Sequence, residues 1–515
     1  MDAPRTQLLL PAGIDAAAAV GRLAGHVAIV TQRAQRTDRS FWDTFDGRLH
    51  AAGLALVDSG SRFALTDAAT GAERAAADHA RGLRRLAAAD LPAGPLRDRL
   101  APIVEVRVLE PVVRVRSRLS AVAVLDDLAK IVVRLQAEEP TVLARGGETV
   151  ALRARLNVAG VLGYDADYRR VLALLTGELD VQPAARPVQD EAIEAAGGVA
   201  GGTSSKLRVA LAADMRADVA AVVVLRRLLE IIEVNLPGTL ADTDSEYLHD
   251  LRVAVRRSRA LQRELRGVFA PEPLRAFRAG FRELQVLTGP TRDLDVQLLE
   301  FAGLAATLPP ATAADVAPLR ALLEQRLAGE RAKMVRGLRS ERTRALLDNW
   351  REFLQALVAA SEDDRPDAAR PVGEVAGERI ATVYRRMVKM GRAIGPDSPH
   401  EALHDLRKKG KELRYLLEFF AALYPPEVVK PMVTTLKGLQ DVLGRFQDRE
   451  VQADALRALS HEIAALQGGA AALMAMGVLV QRLTDEQAQA REQFAERFEQ
   501  FAAKPQRRLV KRTFG

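Results

Sequence analysis

Cysteine is absent from the 515-residue chain. Disulfides, thiolate metal sites and thiol nucleophiles are thereby excluded, and the lack of Cys fits a reducing compartment. Aromatic residues make up only 4%. No apolar run approaches the ~20 residues that a membrane span needs. The N-terminus shows no basic stretch followed by an apolar one, so no secretory leader is expected. These absences predict a soluble cytoplasmic protein with no membrane partner. What is present fits a globular chain: 48% hydrophobic and 27% charged residues, with length enough for more than one domain. The formal charge of +7 and the pI near 9.7 favour acidic partners such as nucleic acid, anionic lipid or another polyanion.

Two stretches 155 residues apart repeat one pattern, His249 with Arg252, Arg256 and Arg259, and His404 with Arg407, Lys411 and Arg414. In both, basic residues follow the His at +3, +7 and +10, positions that share one face of an α-helix. The first stripe continues to Arg263. Beside it runs an apolar stripe of Leu248, Leu251, Val255, Leu261 and Leu265; the second copy has Leu403, Leu406, Leu413, Leu417 and Phe420. The same offset maps Leu284, Gln285, Gly289, Asp293, Val296 and Gln297 onto Leu439, Gln440, Gly444, Asp448, Val451 and Gln452, identical in type. A constant offset without gaps implies two copies of one helical unit related by a pseudo-twofold, each with about four helices and its own core.

Charged helical faces are most often merely solvated. Such faces mix signs for i,i+4 pairing; here no acid separates the basic members, so a bound anion would offset their mutual repulsion. The first stripe, about 21 Å long at 1.5 Å per residue, suits an extended ligand. The histidines fit best as anion donors, held neutral by neighbouring cations until a polyanion binds. The spacing offers no second ligand for a metal, and no metal or cofactor is expected. Asp293 and Asp448 either orient nearby basic side chains or cap helices after Gly289-Pro290 and Gly444. Gly410, in a motif helix, costs about 1 kcal/mol against Ala and marks close packing or ligand approach.

Residues 1–181 read as mixed β and α. Strands are predicted over Thr6–Leu10, Gly53–Val57, Arg62–Thr66, Ile103–Leu109, Lys130–Gln136 and Val150–Leu156, and a helix over Ala166–Leu175. Alternation from Val113 to Leu119 puts Arg114, Arg116 and Arg118 on one face. The Pro- and Gly-rich stretch 182–205 reads as a linker with room for a short helix. Helices follow over 206–510, copy one about 206–360 and copy two about 370–510. Breaks are predicted at Pro237-Gly238, Pro271 to Pro273, Gly289-Pro290, Pro309-Pro310, Pro396 to Pro399 and Pro425-Pro426.

The helical part resembles the conserved-histidine α-helical domain, CHAD. The residues that carry the likeness are Leu248 to Arg252 with Arg256 and Arg257; Arg292-Asp293 with Asp295 and Val296; Leu403 to Arg407 through Lys411 to Tyr415; and Leu439-Gln440 with Gly444. The resemblance implies an all-α domain of two four-helix bundles about a pseudo-twofold, with a basic central channel, inorganic polyphosphate as ligand and association with polyphosphate granules. On that reading the binding residues are His249, Arg252, Arg256, Arg259, Arg263, His404, Arg407, Lys408, Lys411, Arg414 and Tyr415, with Arg282 and Lys437 as accessory contacts.

The N-terminal part, through Phe41 to Leu49 and Ala52 to Leu56, resembles a degenerate CYTH domain, the fold of triphosphate tunnel enzymes. That implies an α+β unit, an antiparallel β-barrel with helices. The Glu-x-Glu-x-Lys strand of that family is here Arg5 to Leu10, its Arg-x-Arg is Val57-Asp58-Ser59, and its next basic position is Asp67. Without clustered carboxylates a hard cation has little to hold it, so metal-assisted hydrolysis is not expected; Arg114, Arg116 and Arg118 remain anion contacts inside a barrel. Three functions compete. Non-enzymatic polyphosphate binding leads, ahead of metal-dependent triphosphatase activity and nucleic-acid binding. The last is disfavoured because the basic helices carry few aromatics for stacking. The sequence leaves the oligomeric state open.

Overall fold

The computed structural model describes residues 4–143, 147–177 and 179–514. The chain divides into two compact units, Met1–Ser205 and Lys206–Gly515.

The first unit is a curled antiparallel sheet with helices against it. In chain order its elements are β1 (Arg5–Leu9), α1 (Ala16–Ala24), β2 (Ile29–Thr31), β3 (Gln35–Thr44), α2 (Arg48–Ala51), β4 (Leu54–Asp58), β5 (Arg62–Asp67), β6 (Glu73–Asp78), α3 (Pro95–Val104), β7 (Leu109–Leu125), β8 (Ile131–Leu143), β9 (Thr149–Ala151), β10 (Arg155–Gly160), α4 (Asp165–Gly177), β11 (Gln182–Pro183) and α5 (Val188–Ala195). The strands lie in the order β11-β1-β10-β8-β7-β3-β4-β5-β6, with β2 beside β7 and β9 beside β8. Helices α1 and α4 bury Leu23, Val171 and Leu175 against Leu8, Val133 and Leu156. Helix α3 buries Leu96 and Leu100 against Trp42, Leu56 and Phe63.

Most strand expectations hold, with two exceptions, and β2, β3, β6 and β11 were not expected. Residues 103 and 104 end α3 instead of starting a strand, since Pro95 at the helix start and the apolar spacing of Leu96, Leu100 and Val104 favour a helix. The stretch 150–156 splits into β9 and β10. The long β3, with few apolar residues before Phe41, carried too little alternation to be recognised.

The stretch 182–205 is not a free linker. Gln182–Pro183 pairs with β1, and α5 sends Val188, Ala192 and Ile193 onto Phe41, Val113 and Val115 on the sheet's inner face. A short apolar helix satisfies that face better than solvent would. Arg114, Arg116 and Arg118 also depart from expectation. Val113, Val115 and Ser117 are the buried members of β7, and the three arginines point outward. Arg116 pairs with Asp38 on β3 at 2.7 Å, and Arg118 with Glu139 on β8 at 3.5 Å. Alternation fixed which residues share a face, but burial of the valines decided which face is inside.

The second unit is helical. Copy one holds α6 (Ala217–Ala241), α7 (Ser245–Glu264), α8 (Pro271–Ala305), α9 (Ala317–Leu338) and α10 (Glu341–Ala356). Copy two holds α11 (Val372–Arg392), α12 (His400–Phe420), α13 (Pro426–Ala464), α14 (Gly469–Phe501) and α15 (Lys504–Phe514). The starts of α6 and α11, of α7 and α12, and of α8 and α13 each differ by the same 155 residues as the motifs. The duplication is therefore one of helix boundaries as well as of residue types.

The cores are not divided copy by copy. One continuous apolar cluster joins Leu251 of α7, Phe281 of α8 and Trp350 of α10 to Ile380, Leu413 and Leu439 of α11 to α13. A second cluster unites the ends of two long hairpins, with Phe301 and Leu323 from α8 and α9 and Leu459 and Met476 from α13 and α14. The two copies thus share their interior.

Two predicted breaks are not breaks. Pro237-Gly238 lies within α6 and Gly289-Pro290 within α8. A proline removes one hydrogen bond from a helix, but packing along its length outweighs that loss. The glycines mark close approach instead. A Cβ on Gly238 would sit 2.2 Å from the Tyr247 ring of α7, and one on Gly289 would touch the Arg252 guanidinium at 3.6 Å. Gly238→Ala is expected to destabilise the fold by about 1–3 kcal/mol through overpacking, read as a lower denaturant midpoint at unchanged slope. An unchanged midpoint would show that the ring can move aside.

Candidate anion-binding cleft

Helix α7 forms because Asp244 caps it, accepting from the backbone N–H groups of Glu246 and Tyr247, and because Leu248, Leu251, Val255 and Leu261 bury one face. The basic stripe is left at the edge of the core. Helix α12 repeats this with Leu403, Leu406, Leu413 and Leu417.

The two helices meet through exchanged partners. Arg257 pairs with Glu418 at 2.7 Å and Arg263 with Glu412 at 3.4 Å. Position 412 is the mate of 257 under the 155-residue offset, and 418 is the mate of 263. Contact of i with j and of j with i is what a twofold axis requires, so a pseudo-twofold passes between α7 and α12. The mates carry opposite charge: arginine in copy one, glutamate in copy two.

Close to this contact lies a cleft of about 1070 Å³. Its walls carry Arg256, Arg259, Arg263 and Arg266 from α7 and the turn after it, Arg275, Arg278 and Arg282 from α8, and Lys408 and Lys411 from α12. Nine basic side chains thus face two carboxylates, Asp364 and Glu412. Tyr415 lies at its inner edge, almost fully buried. Arg259 is held by the side-chain oxygen of Gln285. Among the described residues, no carboxylate pairs with Arg256, Arg266, Arg278, Arg282 or Lys411, and Arg256 keeps a buried Nε without a hydrogen-bond partner.

The electrostatics follow from that crowding. Burial, then the charges of Arg407 and Arg256, pushes the Lys411 ammonium down to about 8, with Asp448 opposing and Arg414 adding. Burial and the neighbours Arg263, Arg282 and Arg278 lower Arg259. Arg256 and Lys411 are mates under the repeat, so the two stripes face one another at these positions.

The cleft gathers Arg256, Arg259, Arg263, Arg282, Lys408, Lys411 and Tyr415 from the set expected by sequence. Others lie outside it. Arg252 donates to the carbonyl of Gln285 at 3.0 Å and to Thr288 Oγ1 at 2.9 Å. Arg407 donates to Asp448 at 2.9 Å. Each guanidinium lies over the repeated glycine, Gly289 or Gly444, so these arginines tie α7 to α8 and α12 to α13. Asp293 and Asp448 sit within continuous helices and cap nothing. Arg414 pairs with Glu418 at 2.6 Å, and Lys437 is exposed outside the cleft. Gly410 answers to packing, since a Cβ there would lie 3.2 Å from Met387.

The histidines are half-buried and outside the cleft lining. His404 hydrogen-bonds through Nδ1 to the side-chain oxygen of Gln447. The mate of Gln447 is Arg292, and at His249 burial, then that arginine, pushes the imidazole down. A neutral His249 was expected from surrounding cations; burial is the larger cause and Arg292 the second.

The sequence reading missed Arg266, Arg275 and Arg278. Arg275, Arg278 and Arg282 recur at i, i+3 and i+7, a stripe on the first turns of α8. It lacked a copy to draw attention to it: their mates are Lys430, Val433 and Lys437. The cationic surface is therefore lopsided towards copy one, in place of two equal rows along a channel.

Among the described residues, no group of His, Asp and Glu could hold a metal ion, and no helix is long and apolar enough to cross a membrane. The first unit has its own cavity of about 440 Å³, open to solvent on one side, lined by Arg5, Arg39, Arg134, Arg155 and Glu138 among others. There Arg39 pairs with Glu138, Ser117 Oγ donates to Glu138 at 2.6 Å, and Arg155 pairs with Glu191 of α5 at 2.7 Å.

No curated protein matches the chain. Solved structures similar to it include the CHAD domain from the plant Ricinus communis, at 23% identity and a TM-score of 0.48 over 57% of this chain and 96% of that one. Another is PptA from Streptomyces chartreusis, at 15% identity and a TM-score of 0.44 over 55% of this chain and all of that one. The family whose pattern fits is the CHAD domain, matched from within α6 to within α13. With the duplicated histidine helices in place, the chain carries a CHAD domain at residues 223–457.

Proposed function

We propose that this chain binds inorganic polyphosphate without transforming it, through the cleft between α7, α8 and α12, and that this binding places it on polyphosphate granules in the cytoplasm. The observation that supports this most is the excess of nine cations over two carboxylates in the lining of one cleft, five of the nine having no carboxylate partner among the described residues. Crowded cations that repel one another, three of them (Arg256, Arg259 and Lys411) half-buried, destabilise the free protein, and an anion with regularly spaced charges relieves that repulsion along its length. The cleft presents basic groups and little aromatic surface, so it suits a phosphate chain better than a stack of bases.

Such binding is dominated by counterion release. With six or more phosphate contacts, affinity for long-chain polyphosphate should fall by about 10³-fold between 50 and 200 mM salt, if the polymer behaves like other dense polyanions. Titration across salt concentrations reads this as the slope of log affinity against log salt. A slope near zero would reject the cleft as the binding surface. Single-stranded DNA of equal charge is the competitor. If it displaces polyphosphate at equal concentration, the proposed selectivity is wrong.

A further inference from the structure

The chain builds its positive charge almost wholly from arginine. Of its 74 basic residues only 11 are lysines. Three of them sit together on α12: Lys408, Lys409 and Lys411. Lys408 pairs with Asp405 at 3.1 Å, and Lys409 pairs with Glu412. Lys411 has no such partner among the described residues. It lines the cleft, half-buried, at the position where copy one has Arg256. An arginine there could hold an anion but could not act as a nucleophile. A lysine can do both.

We propose that Lys411 is an acylation site: the arginines of the cleft hold the phosphate of an acyl phosphate, and the Lys411 amine takes its acyl group. This rests on the reading of the cleft as a phosphate site and adds a reaction to it. The neutral amine attacks the acyl carbon, a C–N bond forms, and the bond from that carbon to the bridging oxygen breaks. Phosphate leaves as the monohydrogen dianion, carrying away the amine proton, so atoms and charge balance. The arginines that anchor the reagent's phosphate also stabilise it as it leaves. In the free protein at pH 8 about half of the Lys411 amines are unprotonated, given their value of about 8, against under about 1% of an ordinary exposed lysine; the bound phosphate lowers that share but leaves Lys411 the most often neutral lysine of the cleft. Acylation converts a cation into a neutral amide inside the cleft, so it opposes polyphosphate binding. The phosphate-linked acyl group and the phosphate polymer become competitors for one residue.

The test uses the full chain with acetyl phosphate at pH 8 and peptide mass spectrometry of every lysine. Lys411 is expected to be acetylated about tenfold faster than Lys408, Lys409 or the exposed Lys333. Saturating long-chain polyphosphate should slow Lys411 at least fivefold and leave Lys333 unchanged. A phosphate-free acetylating ester should lose most of the preference. Labelling that merely follows exposure, with Lys411 at or below Lys408, overturns the proposal. So does equal preference with the phosphate-free ester. Polyphosphate binding by the same preparation separates the two ideas: binding without Lys411 selectivity sinks acylation alone, and absent binding sinks the reading beneath it.

Discussion

Replacing Arg256 and Lys411 together by alanine is expected to lower affinity for long-chain polyphosphate by about 100-fold at fixed salt, on the basis that a hydrogen bond to a charged group is worth about 1.5–3 kcal/mol. These residues are mates under the repeat, line one cleft and lack carboxylate partners among the described residues. The same double substitution should make the free protein more stable, because it removes two half-buried cations whose neighbours repel them. That pair of opposite signs distinguishes a binding role from a structural one. Residues that hold the fold lose stability and binding together. Filter binding at one salt concentration and a denaturant titration of the ligand-free protein are sufficient. Unchanged affinity, or a loss of both, would remove the pair from the site.

Affinity should also fall about tenfold as pH rises from 7 to 9. Lys411 stands at about 8 in the free protein, so about nine-tenths of it carries a proton at pH 7 and about one-tenth at pH 9. A polyanion favours the protonated form, and binding therefore takes up a proton in this window. Burial sets most of that value, and the charges that add to it come from three helices: Arg407 and Arg414 on α12 and Arg256 on α7 lower it, and Asp448 on α13 opposes them. His249 adds little here, since burial and Arg292 hold it neutral. The free protein moves the other way. Between pH 8 and the ordinary lysine value of about 10.4 the unfolded chain binds more protons at this residue, so this residue's contribution to stability rises with pH. Lys411→Arg should flatten the binding profile, because guanidinium keeps its charge throughout. A wild-type profile that is flat from pH 7 to 9 would exclude Lys411 from the contact.

Much of the second unit was legible in the sequence, and for a definite reason. Duplication supplied an internal comparison, so helix starts, apolar stripes and mated glycines could be read from one constant offset. What duplication could not supply was the fate of individual arginines. Arg252, Arg256 and Arg259 look alike in spacing. Yet Arg252 ties two helices together through Gln285 and Thr288, whereas Arg256 faces an open cleft. Arg365 is further from function still, almost fully buried and donating to the carbonyls of Leu357 and Ser361. Which arginine is free depends on acceptors from other helices, and no periodicity encodes them. The α8 stripe was overlooked because its mates include Val433, which breaks the symmetry that guided the reading. In the first unit the alternation of β7 was plain, but its polarity relative to the interior was set by α5, a helix placed within a stretch rich in proline and glycine.

The sign reversal between Arg257 and Glu412, and between Arg263 and Glu418, has a consequence for assembly. A half-molecule of the first kind meeting its own double would set guanidinium against guanidinium, and one of the second kind carboxylate against carboxylate. Each half is thus a poor match for itself and a good match for its sibling. Fusion in one polypeptide guarantees that sibling, which steers the folding chain away from swapped pairs of like halves at high concentration.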